Sequence, residues 1–290
     1  MSRSTTRRAR PFHPSACLAL FAALAVLSGC AQVVGTGRSQ LSLVSDSELN
    51  QQSALAYRQT LAKGRLSSNR TDTETIRRVG QRIARAAQIL MASEGRGGEL
   101  SGYSWEFNLL ESGDVNAFCM PGGKVAFYSG IMPVCGDDNG VAVVMGHEIA
   151  HALARHGAER VSQQMAAEMG GNVLGAVLGN TNVSGGTAKM IMVGYGLGAQ
   201  YGVLMPFSRT QEAEADRIGL SLMAIAGYNP EAAVGFWGRM QNATGRKGSS
   251  EFFSTHPTTP ARNENIRTYI PEALQRARTL NSAAPSQSFR

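Results

Sequence analysis

The sequence predicts an α+β fold that is mostly helical and has a small β-sheet beside one buried helix. Two stretches within residues 45–93 begin with capping boxes and continue with helical apolar spacing. Residues 103–110 alternate between apolar and polar side chains, which is typical of a strand. The run 141–155 is apolar almost throughout, as expected for a helix in the centre of a core.

The N-terminus predicts an export signal over residues 1–29. Residues 1–16 contain four arginines and no acid, and the apolar run 17–27 is too short to span a bilayer. Leu27-Ser28-Gly29-Cys30 resembles a bacterial lipobox, which implies lipid attachment at Cys30. The expected location is the periplasm, with the lipid in the inner leaflet of the outer membrane. The alternative is an ordinary signal peptide followed by a coincidental cysteine.

The remaining chain is divided into a lipidated tether (30–44), one domain (45–280) and a disordered tail (281–290). The full sequence has a net charge of +7, but the predicted signal contains four basic residues and no acidic ones. The other residues therefore carry only +3, and we expect no nucleic-acid partner.

The elements follow in order along the domain. Ser45-x-x-Glu48 begins a helix to about residue 63, and Thr71-x-x-Glu74 begins another to about residue 93. We expect strands at 103–110, 115–119 and 124–128, and further helices at 208–226, 230–242 and 257–279, with Pro257 near the first turn of the last. The segment 170–206 is interpreted as a core helix or a mobile flap over the cleft.

The central helix carries His147-Glu148-Ile149-Ala150-His151, the pattern H-E-x-x-H. Residues four apart lie on one helix face, about 5–6 Å apart between Cβ atoms, so both imidazoles can reach one metal ion. Zinc accepts such nitrogen ligands at about 2.0–2.1 Å, and Glu148 stands where zinc peptidases hold a general base. The alternative is a solvated helix with incidental polar residues. The apolar flanks favour a buried metal site, because buried ionisable groups need partners.

A catalytic zinc usually has a third protein ligand and an open position. Glu212 and Asp216 lie four residues apart on a predicted helix and therefore share a face. We favour Glu212 as the ligand and Asp216 as the acceptor of an N–H from a ligand imidazole. A solvated acidic helix face is the alternative.

Two cysteines remain beyond the predicted signal and Cys30. Cys119 and Cys135 could pair in an oxidising compartment, or they could be two small buried residues. The spacing does not decide between these interpretations.

Four blocks together resemble the zinc peptidase family typified by HtpX and the CAAX prenyl protease, and most of all its soluble periplasmic lipoproteins such as BepA and LoiP. They are Asn116-Ala117-Phe118 with Pro121-Gly122-Gly123, the H-E-x-x-H motif, Glu212-x-x-x-Asp216, and Ser254-Thr255-His256-Pro257 with Arg262. The resemblance implies a zincin-like metalloprotease domain whose edge strand flanks the active-site helix. It also implies one zinc ion per chain on His147, His151 and Glu212, with Glu148 as base.

The same resemblance implies roles for residues that spacing does not single out. In related members a histidine matching His256 binds the zinc as a fourth ligand and holds the enzyme inactive. An arginine matching Arg262 lies near the active site and could stabilise an oxyanion. Asn116, Ala117 and Phe118 would form the edge strand to which substrate adds through main-chain hydrogen bonds.

The expected function is a zinc-dependent endopeptidase acting on unfolded or misassembled envelope proteins, a quality-control role that rests on the resemblance. Two alternatives remain open. One is a non-catalytic zinc-binding chaperone or scaffold lipoprotein whose metal is closed off by His256. The other is a zinc hydrolase that cleaves cell-wall peptides.

Overall fold

A computed structural model describes residues 30–177, 207–245, 251–256 and 261–283. Its elements are, in order, β1 Cys30–Gln32, β2 Ser39–Leu41, α1 Asp46–Lys63, α2 Arg70–Ser93, β3 Glu106–Leu110, β4 Ala117–Met120, β5 Lys124–Tyr128, α3 Met132–Cys135, α4 Asp138–Leu153, α5 His156–Val177, α6 Arg209–Ile225, α7 Ala232–Gly245, α8 Glu251–Thr255 and α9 Arg262–Ala283. The predicted α+β fold is confirmed.

The helix starts follow from local capping. Ser45 caps α1 by accepting the N–H of Glu48, as the capping box predicts. The cap of helix α2 lies two residues earlier than the sequence suggests, because Asn69 rather than Thr71 accepts the N–H of Asp72. Both side chains satisfy helix N–H groups that have no intrahelical partner.

The sheet beside the central helix has the strand order β3-β5-β4. Strand β3 pairs with β5 in parallel, and β4 pairs with β5 antiparallel, with Phe118 opposite Ala126. Strand β4 is therefore an edge of this sheet, and it packs against α4. The predicted edge strand beside the motif helix is confirmed as a structural feature.

Helices α4 and α6 approach each other at a pair of glycines. A Cβ at Gly146 would lie 2.9 Å from the carbonyl oxygen of Gly219, and a Cβ at Gly219 would lie 3.0 Å from the backbone of Gly146 and His147. Since neither residue has a side chain, the two backbones can touch. This contact brings Glu212 on α6 close to the histidines on α4.

We expect Gly219→Ala to destabilise the fold by about 1–3 kcal/mol, because the added methyl group overpacks a backbone contact. Urea unfolding measures the loss. Gly238→Ala is the control, since a Cβ there meets nothing within 4 Å, and it should be neutral or stabilising by about 0.5–1 kcal/mol in a helix. Equal stabilities of the two variants would contradict the proposed role of the glycine contact.

Residues 30–44 do not form a tether in the structure. Strands β1 and β2 pair as an antiparallel hairpin, and Val33 and Val34 at its turn are buried in the main core. Arg38 forms ion pairs with Glu159 on α5 and Glu214 on α6. The prediction of a tether was wrong because Val33 and Val34 form an apolar run of only two residues. Such a run is too short to show the periodicity of a helix or a strand.

The structure decides between the two interpretations that the sequence left open for Cys119 and Cys135. Cys119 on β4 and Cys135 on α3 are free thiols, both within the main core. Burial raises the pKa of Cys135 to about 12, so this thiol stays protonated at neutral pH. The interpretation as two small buried residues is the one that the structure supports.

Some of the other expectations concern residues that the structure does not describe. The segment 170–206 lies outside them from residue 178 on, as do Pro257 and residues 284–290. The last helix begins at Arg262 rather than near residue 257 and continues to Ala283, three residues into the predicted tail. Among the described helices, none combines the length and the apolar character that crossing a membrane requires.

Candidate metal centre and active site

Four side chains converge at the contact between α4 and α6. His147, His151, Glu212 and His256 each direct one ligand atom to a common point, and these atoms all lie within 4.8 Å of one another. All four residues are buried. The predicted ligands His147, His151 and Glu212 are thus brought together. His256, the residue immediately after α8, joins them.

Local structure explains this convergence. The motif histidines are one helical turn apart on α4, and their rings are 4.7 Å apart between centroids. Glu212 lies in the first turn of α6, which begins with a complete capping box between Ser208 and Gln211. The cap fixes where the helix starts, and the glycine contact fixes how closely Glu212 approaches α4.

Hydrogen bonds orient both motif imidazoles. Asp216 Oδ1 lies 3.1 Å from Nδ1 of His147, and Nδ1 of His156 lies 2.9 Å from Nδ1 of His151. With Nδ1 engaged in each ring, both Nε2 atoms face the cluster, only 3.1 Å apart. Two lone pairs this close repel, so a proton or a metal ion must lie between the two nitrogens. The donor set therefore fits a metal ion.

Charges in the cluster are strongly coupled. Burial disfavours the charged form of His147, but Glu212 and Asp216 outweigh it and raise the pKa of His147 to about 9. A proton therefore competes with a metal ion for Nε2 of His147. Burial also opposes ionisation of Glu212, but His256, Arg262 and His147 hold the pKa of its carboxyl well below the usual range. Glu212 is therefore an anionic ligand.

Glu148 is buried beside the ligands and differs from the other carboxylates. Its Oε1 has no hydrogen-bond partner within the described residues and lies 3.6 Å from Nε2 of His256. Burial raises the pKa of Glu148 above its ordinary value, although His256 and His147 oppose the shift. A carboxylate with a free oxygen and a raised pKa is suited to accept and return a proton.

His256 occupies the remaining side of the cluster. Its Nδ1 lies 3.2 Å from Nε2 of His147 and 2.9 Å from Oε1 of Glu212. The ring stacks on Phe252, with centroids 4.4 Å apart, and also contacts Phe207. The residue thus stands where a fourth ligand would, and two aromatic rings hold it there.

Arg262 has partners that differ from the predicted oxyanion role. Its Nε and NH2 each lie 2.8 Å from an oxygen of Asp216, and NH1 lies 3.0 Å from Oε2 of Glu212. The guanidinium also lies 3.6 Å from the ring centroid of Trp237. Because it is engaged by two carboxylates and an aromatic face, we propose that Arg262 positions Asp216 and Glu212 instead.

The edge-strand residues lie next to the motif helix. Tyr128 N–H donates to the carbonyl of Asn116 at 3.0 Å, so in this antiparallel pair the next N–H, that of Ala117, points to the free edge. There it donates to Oδ1 of Asn116 at 2.9 Å. Asn116, Ala117 and Phe118 are all buried in the structure.

Several residues of the site were not identified from the sequence. Trp237 packs on His147 and Arg262, and His156 and Glu214 continue the hydrogen bonds of His151. His156 lies five residues after His151, and this short distance from the motif is a signal by which the sequence could have identified it. Nothing in the spacing of Trp237 or Glu214 indicates the contacts they make.

The fold and the four-residue cluster define the class of a metallopeptidase, and comparison identifies the family. The model of peptidase family M48 matches residues 71–270. The chain belongs to this family, which confirms the resemblance inferred from the four sequence blocks. Membership also confirms the expected enzyme class, a metallopeptidase, and favours it over the non-catalytic scaffold.

Curated relatives agree with this class. The mitochondrial metalloendopeptidase OMA1 of Schizosaccharomyces pombe is 35% identical over 198 residues, 68% of this chain and 55% of the relative. OMA1 of Saccharomyces cerevisiae is 38% identical over 181 residues, 60% of this chain and 49% of the relative. Metalloprotease YcaL of Escherichia coli is 25% identical over 260 residues, 87% of this chain and 96% of the relative. The chain spans about half the length of the two yeast relatives.

The comparisons contradict the predicted periplasmic location and outer-membrane anchor. The two yeast relatives are mitochondrial by name and are more identical to this chain than the bacterial one. The N-terminal pattern does not discriminate, because an arginine-rich segment without acids is also typical of mitochondrial targeting sequences. The lipid anchor predicted at Cys30 likewise has no support among the relatives.

Proposed function

We propose that this chain is a zinc-dependent endopeptidase that cleaves unfolded or misassembled proteins, and that His256 closes its active site at rest. The observation that carries the proposal is the convergence of His147, His151 and Glu212 on one point beside Glu148. Protein substrates agree with the relatives, which are named as proteases. We further propose a role in quality control, in which the substrates are proteins that are unfolded or misassembled.

The spacing of the ligand atoms supports zinc. Ligands arranged tetrahedrally at about 2.0–2.1 Å from an ion lie roughly 3.3 Å from one another. Nε2 of His151 lies 3.1 Å from Nε2 of His147 and 3.3 Å from Oε1 of Glu212. Nδ1 of His256 lies 3.2 Å from Nε2 of His147. Two or three imidazoles with one carboxylate form a donor set that zinc prefers.

The chemistry is divided between the ion and the side chains. When bound, zinc supplies Lewis acidity to the scissile carbonyl and makes a water molecule easier to deprotonate. Glu148 accepts the proton of the attacking water and returns it to the leaving amine. Its position in a buried site with one free oxygen supports both transfers. Asp216, fixed by Arg262, keeps His147 in the tautomer that the site requires.

Substrate would add to β4 as an extended strand. The N–H of Ala117 that now donates to Asn116 is the donor that a substrate carbonyl would use. An unfolded chain can present the extended backbone that this requires, whereas most segments of a folded protein cannot. Because β4 is buried, the edge must open before substrate binds, which agrees with a closed resting state.

The test is casein cleavage by the zinc-loaded wild type and by His256→Ala. We expect about 10-fold or greater gain of activity in His256→Ala, because removing the imidazole frees the fourth position. Phe252→Leu is a matched variant, since it loosens the ring stack but keeps the imidazole, and its gain should be smaller. Zinc content is measured for each protein.

Either of two results would contradict the proposal. Loss of activity in His256→Ala, with zinc retained, would show that His256 assists catalysis rather than blocking it. Stoichiometric zinc without cleavage of casein by either protein would argue against an endopeptidase of unfolded chains.

A further inference from the structure

The hydrogen bonds that orient His151 continue well beyond the metal site. Nδ1 of His151 lies 2.9 Å from Nδ1 of His156, and Nε2 of His156 lies 3.1 Å from Oε2 of Glu214. His156 is fully buried at 0% exposure, and its ring contacts that of His151 edge to face. A second histidine is thus inserted between a ligand and a carboxylate.

The order of donors along this chain is fixed by the ligand. His151 binds through Nε2, so its Nδ1 carries the hydrogen and donates to Nδ1 of His156. His156 then carries its own hydrogen on Nε2 and donates it to Glu214. Each imidazole has one donor and one acceptor, and every one of them is used. A group that only donates could not take the place of His156.

The backbone is strained at the point that makes this contact. Arg155, between α4 and α5, has φ of 58°, and it is the one non-glycine residue with positive φ in the described part of the chain. This left-handed conformation is unfavourable for a residue with a side chain. It reverses the chain so that His156, five residues after His151, returns to face it.

The N-terminal hairpin holds the far end of the chain of hydrogen bonds. Arg38 donates to both oxygens of Glu214, at 2.9 and 3.0 Å, and Thr36 donates to Oε1 at 2.9 Å. Arg38 also makes a two-bond contact with Glu159, at 2.7 and 2.8 Å. Gln40 donates to the carbonyl of Ala154 at 2.7 Å, next to the strained residue.

We propose that the N-terminal hairpin positions the metal ligand His151 through Arg38, Glu214 and His156. His156 and Arg38 are positioning residues, since neither lies among the four ligands. His156 orients the ring of His151, and Arg38 holds the carboxylate of Glu214. The inference rests on the metal site of the proposed function. It makes residues 30–41 part of the metal centre, although they are remote from it in sequence.

The experiment measures metal affinity and geometry rather than cleavage. Cobalt(II) is added to the purified chain, its visible absorption spectrum is recorded, and zinc affinity is found by competition with a chelator. We expect His156→Ala to weaken zinc binding about 10–100-fold and to alter the cobalt spectrum. His156→Gln, whose amide can both accept and donate, should restore part of the affinity.

Arg38→Gln tests the hairpin itself and should weaken zinc binding by about 3–10-fold, since Glu214 keeps Thr36 and His156. Arg217→Ala is the control. Arg217 lies on α6, the helix that also carries Glu214, and the change removes only an ion pair at the surface with Glu272 on α9. Its affinity and spectrum should match those of the wild type. Thermal melting of each metal-free variant separates loss of fold from loss of positioning.

The outcomes are distinguishable. Unchanged affinity and spectrum in both His156→Ala and Arg38→Gln would overturn the proposal. If His156→Ala does not fold, Arg38→Gln decides alone, with its cobalt spectrum as the readout. A wild type that binds neither zinc nor cobalt would overturn the proposed function itself, whatever the variants do.

Discussion

Glu148→Gln is expected to lower peptide cleavage by about 10²–10⁴-fold while zinc stays bound, since this is the range for removing a general base. The carboxylate is buried, one of its oxygens is free, and its pKa is raised by burial. An amide of the same shape cannot accept the proton. It leaves the positions of His147, His151 and Glu212 unchanged.

The measurement compares initial rates of casein cleavage in the His256→Ala background, where the site is open. Zinc content is determined for every sample, so that loss of metal is not mistaken for loss of the base. Glu264→Gln is the matched control, because this glutamate is exposed in the first turn of α9. Cleavage that survives Glu148→Gln with full zinc would remove Glu148 from the mechanism.

The second large effect is on stability. A ligand that binds only the folded state stabilises it by about 4 kcal/mol when its free concentration is 1,000 times its Kd. We expect zinc to stabilise the wild type by about this amount at that concentration. Glu212→Gln should lose most of the stabilisation, since it removes the anionic ligand and leaves NH1 of Arg262 facing a neutral group.

Chemical unfolding with and without zinc measures this difference. Glu231→Gln, an exposed position before α7, serves as the control and should keep the full zinc effect. Equal stabilisation of Glu212→Gln and the wild type would show that Glu212 is not a ligand. Stabilisation lost in both Glu variants would point to a general effect of charge.

The sequence predicted most of the helices and strands because their signals are local. Capping side chains lie within three residues of the N–H groups they satisfy, as at Ser45 and Ser208. Alternation of apolar and polar side chains marked β3, one of the three strands of the sheet. The hairpin of residues 30–41 was missed because its order comes from contacts with α5 and α6 rather than from its own pattern.

The candidate site was also partly predictable. His147 and His151 are brought together by one turn of helix, so their spacing alone places them on one ion. Glu212 and His256 lie far away in sequence, and they were identified by a shared face and by resemblance. The distance of Glu212 from the motif histidines depends on the contact between Gly146 and Gly219, which no local pattern shows.

The sequence by itself determined the class of chemistry, because the H-E-x-x-H motif and its apolar flanks require a buried site with two imidazoles and a carboxylate. Only the tertiary structure decided which groups surround that site. It placed Arg262 on two carboxylates, kept Cys119 and Cys135 as separate thiols, and connected Arg38 to His151 through Glu214 and His156. The reason is physical: hydrogen bonds and ion pairs between distant segments depend on how closely helices pack, and that distance is set by the whole core.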